Sequence, residues 1–348
     1  MTVDSAHFVT VITIKNWEEF ESLGRGCGPV VFRGQGDSEW DLKTNYEREF
    51  IMADCLRVNA THESEMLHEC ISQGHLFVQD PPSRDDWVSW LAEMQHYGAP
   101  TRLLDVTRSK YIALFFALTG MKNGEKTRDG AVWEFDVALA DKVFYDRLCE
   151  KMPHCVTAEA PPWSRGGILP YKEDGWKIAN AAIGCEPIGR ITQVCSELAR
   201  CKRFLNGCYK KGMVLHVAPR RANKRLIAQQ GEFLFPFNLS HTFVQNLLGP
   251  IGGSNYEKKL VDFGTAGARC KAKDSITPRV IKIIIPGSLR EEFLDRLLEM
   301  NITYQTLFPD DFGFMKALQF QRDRRRTGLK LLNSRERGLI ASLNEFEQ

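Results

Sequence analysis

Residues Lys110 to Leu118, KYIALFFAL, are nearly all apolar. A surface helix keeps a polar stripe, so a helix of this composition must be buried. It is too short to cross a membrane, which takes roughly 18 or more consecutive apolar residues. The other long apolar stretch, Val280 to Pro286, is also core-sized. Hydrophobic residues make up 43% and charged residues 26%, as in ordinary globular chains. That excludes a disordered tail, a collagen-like chain and a coiled-coil rod. The 348 residues suffice for one large domain with insertions or for two ordinary ones. The N-terminus lacks a basic segment followed by a long apolar one, so no signal peptide is expected. Ten cysteines without a CxxC pair read as reduced, mostly buried thiols. The expected location is cytoplasmic, with no membrane partner.

Around the apolar helix the sequence reads as short strands and interspersed helices. A helix is expected from Trp17 to Leu23, then a buried strand at 29–36 (PVVFRGQG) ended by a glycine turn. Helices are expected over Thr44 to Val58 and Glu63 to Phe77. Another starts near Ser83 and Asp86, with Trp87, Trp90, Leu91 and Met94 as its apolar face, and ends at Tyr97-Gly98. Strands are expected at Thr101 to Val106, Gly130 to Val137, Gly212 to Ala218, Glu232 to Phe237, Arg279 to Ile285 and Ile302 to Leu307. Ser288 with Glu291 has the spacing of a capping box for a helix over 289–300, and a last helix follows from about Asp310. Without regular βαβ alternation the class is α+β. Residues 138–210 hold six of the ten cysteines and many Gly and Pro, and read as an inserted subdomain. The expected organisation is one domain over 1–320 carrying that insertion, then a basic helical extension over 321–348.

The net charge of +2 conceals an asymmetry. Residues 1–100 carry 7 Lys/Arg and 17 Asp/Glu, so the rest of the chain carries +12. Residues 200–231 hold nine basic residues and no acid, among them Lys210, Lys211, Arg220, Arg221, Lys224 and Arg225. A second basic stretch, Arg322 to Arg337, holds seven basic residues. Such runs attract polyanions, although any one of them also fits a solvated face. Phe204 and Tyr209 in the first run offer rings on which bases can stack.

There is no GxxxxGK[ST] phosphate loop, and Gly34-Gln35-Gly36 lacks the third glycine of a dinucleotide-binding turn. No HExxH is present, and Cys195, Cys201 and Cys208 are not spaced as zinc ligands, so no metal is expected. Three segments carry more information. In Phe32-Arg33-Gly34-Gln35 an arginine ends an apolar strand; it calls for an anion, either a phosphate or an internal carboxylate such as Asp105. In Gln95-His96-Tyr97-Gly98-Ala99-Pro100-Thr101-Arg102-Leu103-Leu104-Asp105-Val106-Thr107, polar and aromatic groups crowd a helix-to-strand turn and suit a cleft wall. Asp105 and Thr107 fit equally well as caps of the next helix. In Arg225-Leu226-Ile227-Ala228-Gln229-Gln230-Gly231-Glu232-Phe233-Leu234-Phe235, a carboxylate opens an apolar strand and needs a partner if buried.

Phe32-Arg33-Gly34 and HYGAPTRLLDVT, with looser matches at AQQGEF and TLFPDDFG (306–313), resemble the FRG-domain family. The resemblance covers roughly 10–137 and 212–320. FRG domains look related to ADP-ribosyltransferases, which implies a split mixed sheet with flanking helices around a cleft for NAD as co-substrate. Carried over, Arg33 holds the pyrophosphate or the nicotinamide-side ribose. Tyr97 or Thr101 lines the nicotinamide pocket, and Gln35, Arg102 and Asp105 complete the cofactor site. Glu232 is the catalytic glutamate. Gln230 stands two residues before it, on the same face if both lie on a strand. GEFLF is similar to a strand of nucleic-acid-modifying ADP-ribosyltransferase toxins. The implied function is mono-ADP-ribosylation of nucleic acid, RNA favoured, by the toxin of a bacterial toxin–antitoxin or defence system, with an antitoxin as its protein partner. A protein acceptor, or a non-catalytic nucleotide-binding module, are the other readings.

Overall fold

A computed structural model describes residues 9–24, 30–51, 62–121, 128–137, 212–218, 222–248 and 280–324. Seven strands form one mixed sheet: β1 (Val9–Thr13), β2 (Val30–Gln35), β3 (Leu104–Thr107), β4 (Gly130–Asp136), β5 (Val214–Val217), β6 (Gly231–Pro236) and β7 (Val280–Ile285). Their order across the sheet is β1-β7-β4-β2-β3-β6-β5. β1 runs parallel to β7, and the other neighbours pair antiparallel. The helices in chain order are α1 (Trp17–Ser22), α2 (Asn45–Ile51), α3 (His62–Gln73), α4 (Trp87–His96), α5 (Lys110–Gly120), α6 (Lys224–Ala228), α7 (Phe243–Leu248), α8 (Arg290–Glu299), α9 (Tyr304–Leu307) and α10 (311–324). The class is α+β, as expected. No helix among the described residues is long and apolar enough to cross a membrane.

The apolar helix is α5, capped by Ser109, whose side chain accepts from the Ile112 N–H. With α1 and α8 it packs over β2, β4 and β7, where Phe32, Val132, Ile281 and Ile283 join Phe115, Leu118 and Phe293. α5 lies flush on β2 because residue 34 is glycine: a Cβ there would fall 1.9 Å from the Ala113 carbonyl oxygen. On the other half of the same face, α3 and α4 cover β5 and β6 through Trp90, Leu91, Phe233 and Phe235. The opposite face is a continuous apolar layer of Val31, Leu104, Val106, Trp133, Leu234 and Phe243. β4 therefore has both faces covered.

Between the two halves the sheet almost parts. β2 and β4 share six register positions, from Val30↔Asp136 to Gln35↔Ala131. β2 and β3 share one, Phe32↔Thr107. α4 stops short of this seam at Tyr97, and the chain turns through Gly98 at φ 92°. That left-handed conformation is costly for other residues.

Several expectations change. Ile302 to Leu307 is not a strand: Thr303 and Thr306 form a reciprocal capping box and start α9. The Ser288–Glu291 box does not form. A 3-10 turn, Gly287–Leu289, runs straight into α8, and Glu291 pairs with Arg290 at 2.6 Å instead. Asp86 rather than Ser83 caps α4. The strand expected from Thr101 starts at Leu104. β1, α6 and α7 were not expected. The proposed insertion at 138–210 and residues 325–348 of the basic extension lie outside the described residues.

Candidate functional site

A cavity of about 370 Å³ opens at the seam. β2 contributes Arg33, β3 contributes Asp105 and Thr107, and β6 contributes Glu232 and Phe233. Asp105 and Phe233 are register partners on one face of the sheet, and Val106 and Glu232 are partners on the other. The cavity draws on both faces because the strands separate here. Gln95 and His96 at the end of α4, Phe116 of α5, Arg225 of α6 and Phe308 form its upper walls.

Arg33 spans the gap. Its Nη1 donates to the Asp105 backbone carbonyl at 2.7 Å and lies 3.8 Å from the Asp105 carboxylate. A side-chain bond thus supplies a rung that the strand ladder lacks. Burial pulls the guanidinium's pKa below its ordinary value; Asp105 opposes this and Arg48 reinforces it. Its Nε is buried without a hydrogen-bond partner, which leaves donor capacity for an anion. Asp105 is itself held by Gln95, whose Nε2 donates to Oδ1 at 2.6 Å. Both readings of Arg33 therefore meet at one place: it pairs with Asp105 and it lines the cavity.

Glu232 is 3% exposed. His216 of β5 approaches one carboxylate oxygen at 2.6 Å, and Arg108 the other at 3.5 Å. At the mouth, the Arg225 guanidinium packs 4.9 Å from the Phe308 ring centroid and 5.6 Å from Phe312, and bonds Asp310 at 2.9 Å. Burial lowers the pKa of His96 beside it; Arg225 adds to the shift, while Glu93 and Asp310 oppose it. Among the described residues no three His, Cys, Asp or Glu side chains group as a metal site requires.

Residues 28–126 match the FRG domain. The matched segment holds Arg33, Gln95, Asp105 and all of α5, and ends before His216, Arg225 and Glu232. The FRG match thus covers one wall of the cavity, and a later part of the chain supplies the other. Neither the curated proteins nor the solved structures searched contain a match to the chain.

Within the FRG segment the three name-giving residues divide the work. Phe32 enters the core under α5, Arg33 enters the cavity, and Gly34 admits α5. The HYGAPTRLLDVT stretch behaves differently from expectation. Arg102 is fully buried and ion-paired with Glu63, which also accepts from the Arg102 backbone N–H at 2.5 Å; its guanidinium lies 5.1 Å from the Phe235 ring. Thr101 is fully buried, with its hydroxyl on Gln95. Tyr97 is 74% exposed. None of the three lines the cavity. Nor does Gln35, whose amide bonds the Asp41 carbonyl at 3.1 Å and the Trp133 indole at 2.6 Å.

Gln230 has φ 48° and precedes the strand, so the alternation that placed it beside Glu232 does not reach it; Gln229 lines the cavity instead. Of the basic run, Arg225 is at the cavity and Lys224 opens α6 without lining it. Lys210, Lys211, Arg220 and Arg221 lie outside the described residues. Sequence reasoning missed His216 and Arg108 as partners of Glu232, and Gln95 as the partner of Asp105. The one signal for His216 was a lone imidazole in an otherwise apolar strand, VLHV.

Proposed function

We propose that this cavity binds NAD and that the chain is a mono-ADP-ribosyltransferase whose acceptor is nucleic acid, with RNA favoured. The observation that carries this reading is the meeting of Arg33 and Glu232 in one cavity from strands far apart in the chain. Arg33 offers a planar, permanently charged donor set to a pyrophosphate. Glu232 is a shielded carboxylate next to where the ribose would sit. Cleavage of the nicotinamide–ribose bond develops positive charge on the sugar, which a fixed carboxylate stabilises. Nicotinamide leaves with the bonding pair, the acceptor bonds the ribose carbon, and the acceptor proton passes through Glu232 to solvent. The nucleic-acid acceptor is supported by the charge of the run leading into Glu232, of which Arg225 reaches the mouth. The role of toxin, with an antitoxin as partner, rests on the family resemblance alone.

The test is labelled NAD incubated with total RNA, DNA and protein, using wild type and Glu232→Gln. Label is expected in RNA with wild type, and the variant loses transfer while still binding NAD. Transfer at the wild-type rate by Glu232→Gln removes the assignment. One observation favours a second reading: both Glu232 oxygens already have partners, Arg108 and His216, as a structural carboxylate does. A non-catalytic nucleotide-binding module of that kind binds NAD and releases no nicotinamide.

A further inference from the structure

We infer that His216 positions Glu232 for the proposed transfer, fixing one carboxylate oxygen from the neighbouring strand. This rests on the role given to Glu232 above. β5 and β6 pair antiparallel with His216 opposite Leu234, so Glu232 is the diagonal neighbour of His216 on the same face. The two side chains are 12% and 4% exposed and meet at 2.6 Å. An ionised carboxylate only accepts, so the imidazole Nε2 carries the shared proton and donates it.

His216 stands between Leu215 and Val217, in a strand whose other members are buried and apolar. Packing alone does not call for an imidazole there. Burying Glu232 without a donor is costly, and His216 supplies one in the dry layer beneath the cavity. Arg108 differs. It is half-exposed, 3.5 Å from the other oxygen, and follows β3 at the seam, where its N–H bonds the Gln230 carbonyl at 3.1 Å. Of these two contacts, the short one comes from a largely buried side chain within the sheet and the longer one from a half-exposed side chain just past the end of β3. The short one sets the direction of the carboxylate. The effect of His216 in this role is geometric.

The experiment uses the full chain with NAD and total RNA, measuring nicotinamide release for wild type, His216→Gln and His216→Asn. Gln carries an amide donor far enough along the side chain to reach Glu232, and Asn is too short. A displacement of about 1 Å in a reacting group costs on the order of 100-fold in rate. The Asn variant is therefore expected to lose about that much in kcat with KM for NAD unchanged, and the Gln variant to recover at least a tenfold part of it. Melting temperatures identify folded variants; if the Asn variant does not fold, the Gln variant is compared with wild type, and a decrease in kcat alone is expected. Wild-type kcat in the Asn variant, wild-type kcat in the Gln variant where that one stands alone, equal loss in both, or a loss carried by KM overturns the proposal. Absence of nicotinamide release by wild type overturns the transferase reading and this proposal together, whereas an active wild type with unaffected variants overturns this proposal alone.

Discussion

Arg102 and Glu63 form an ion pair closed off from water, with the Phe235 ring beneath the guanidinium. Removing one member of such a pair leaves the other charged and enclosed, which costs about 3–5 kcal/mol. Arg102→Met is expected to lose that much in urea unfolding. The double variant with Glu63→Leu is expected to regain part of it, since the enclosed charge is removed but the Arg102 backbone N–H loses its acceptor. Glu47 offers a pH-dependent counterpart. Burial raises its pKa, against hydrogen bonds from the Phe243 and Thr44 N–H groups. The folded chain therefore holds this proton more tightly than the unfolded one. The contribution is fully present below the ordinary glutamate value and lost as pH rises through the higher folded value. Stability of Glu47→Gln minus that of wild type is expected to rise with pH across that window in paired urea titrations; a flat difference would count against the shift. Neither role was readable from the sequence. The partner of Arg102 is 39 residues upstream, on a helix whose docking no local pattern encodes.

Gly34 joins two elements rather than easing a turn. Any Cβ at that position meets the backbone of α5, so β2 and the helix must separate to admit it. Gly34→Ala is expected to destabilise by about 3 kcal/mol through overpacking, read as a lower urea midpoint at unchanged slope. An unchanged midpoint would mean the helix sits farther from the strand. At this scale the strongly patterned segments were legible: α5 from its unbroken apolar run, and β2, β6 and β7 from theirs. The 302–307 segment was misread because Tyr304, Leu307 and Phe308 also fit helical spacing, and Thr303 with Thr306 resolves the ambiguity toward helix. β1 was missed because its parallel partner, β7, comes some 270 residues later. Strand order and register depend on pairings that no single segment reveals.

Across the whole molecule, a charge of +2 is the sum of an acidic first hundred residues and a basic remainder. A chain that contacts three or more phosphates of single-stranded RNA through the basic side is expected to lose RNA labelling by more than about tenfold between roughly 50 and 200 mM salt. Nicotinamide release without acceptor should change little over the same range, and parallel responses of the two would count against a nucleic-acid acceptor. Across the seam the two halves of the sheet share one register pair and the bond from Arg33 to the Asp105 carbonyl, above a continuous apolar layer on the opposite face. An anion that claims Arg33 draws on the same guanidinium that tethers the halves. In the proposed function that anion joins at the unpartnered Nε, so the bridge across the sheet stays closed while the cavity fills.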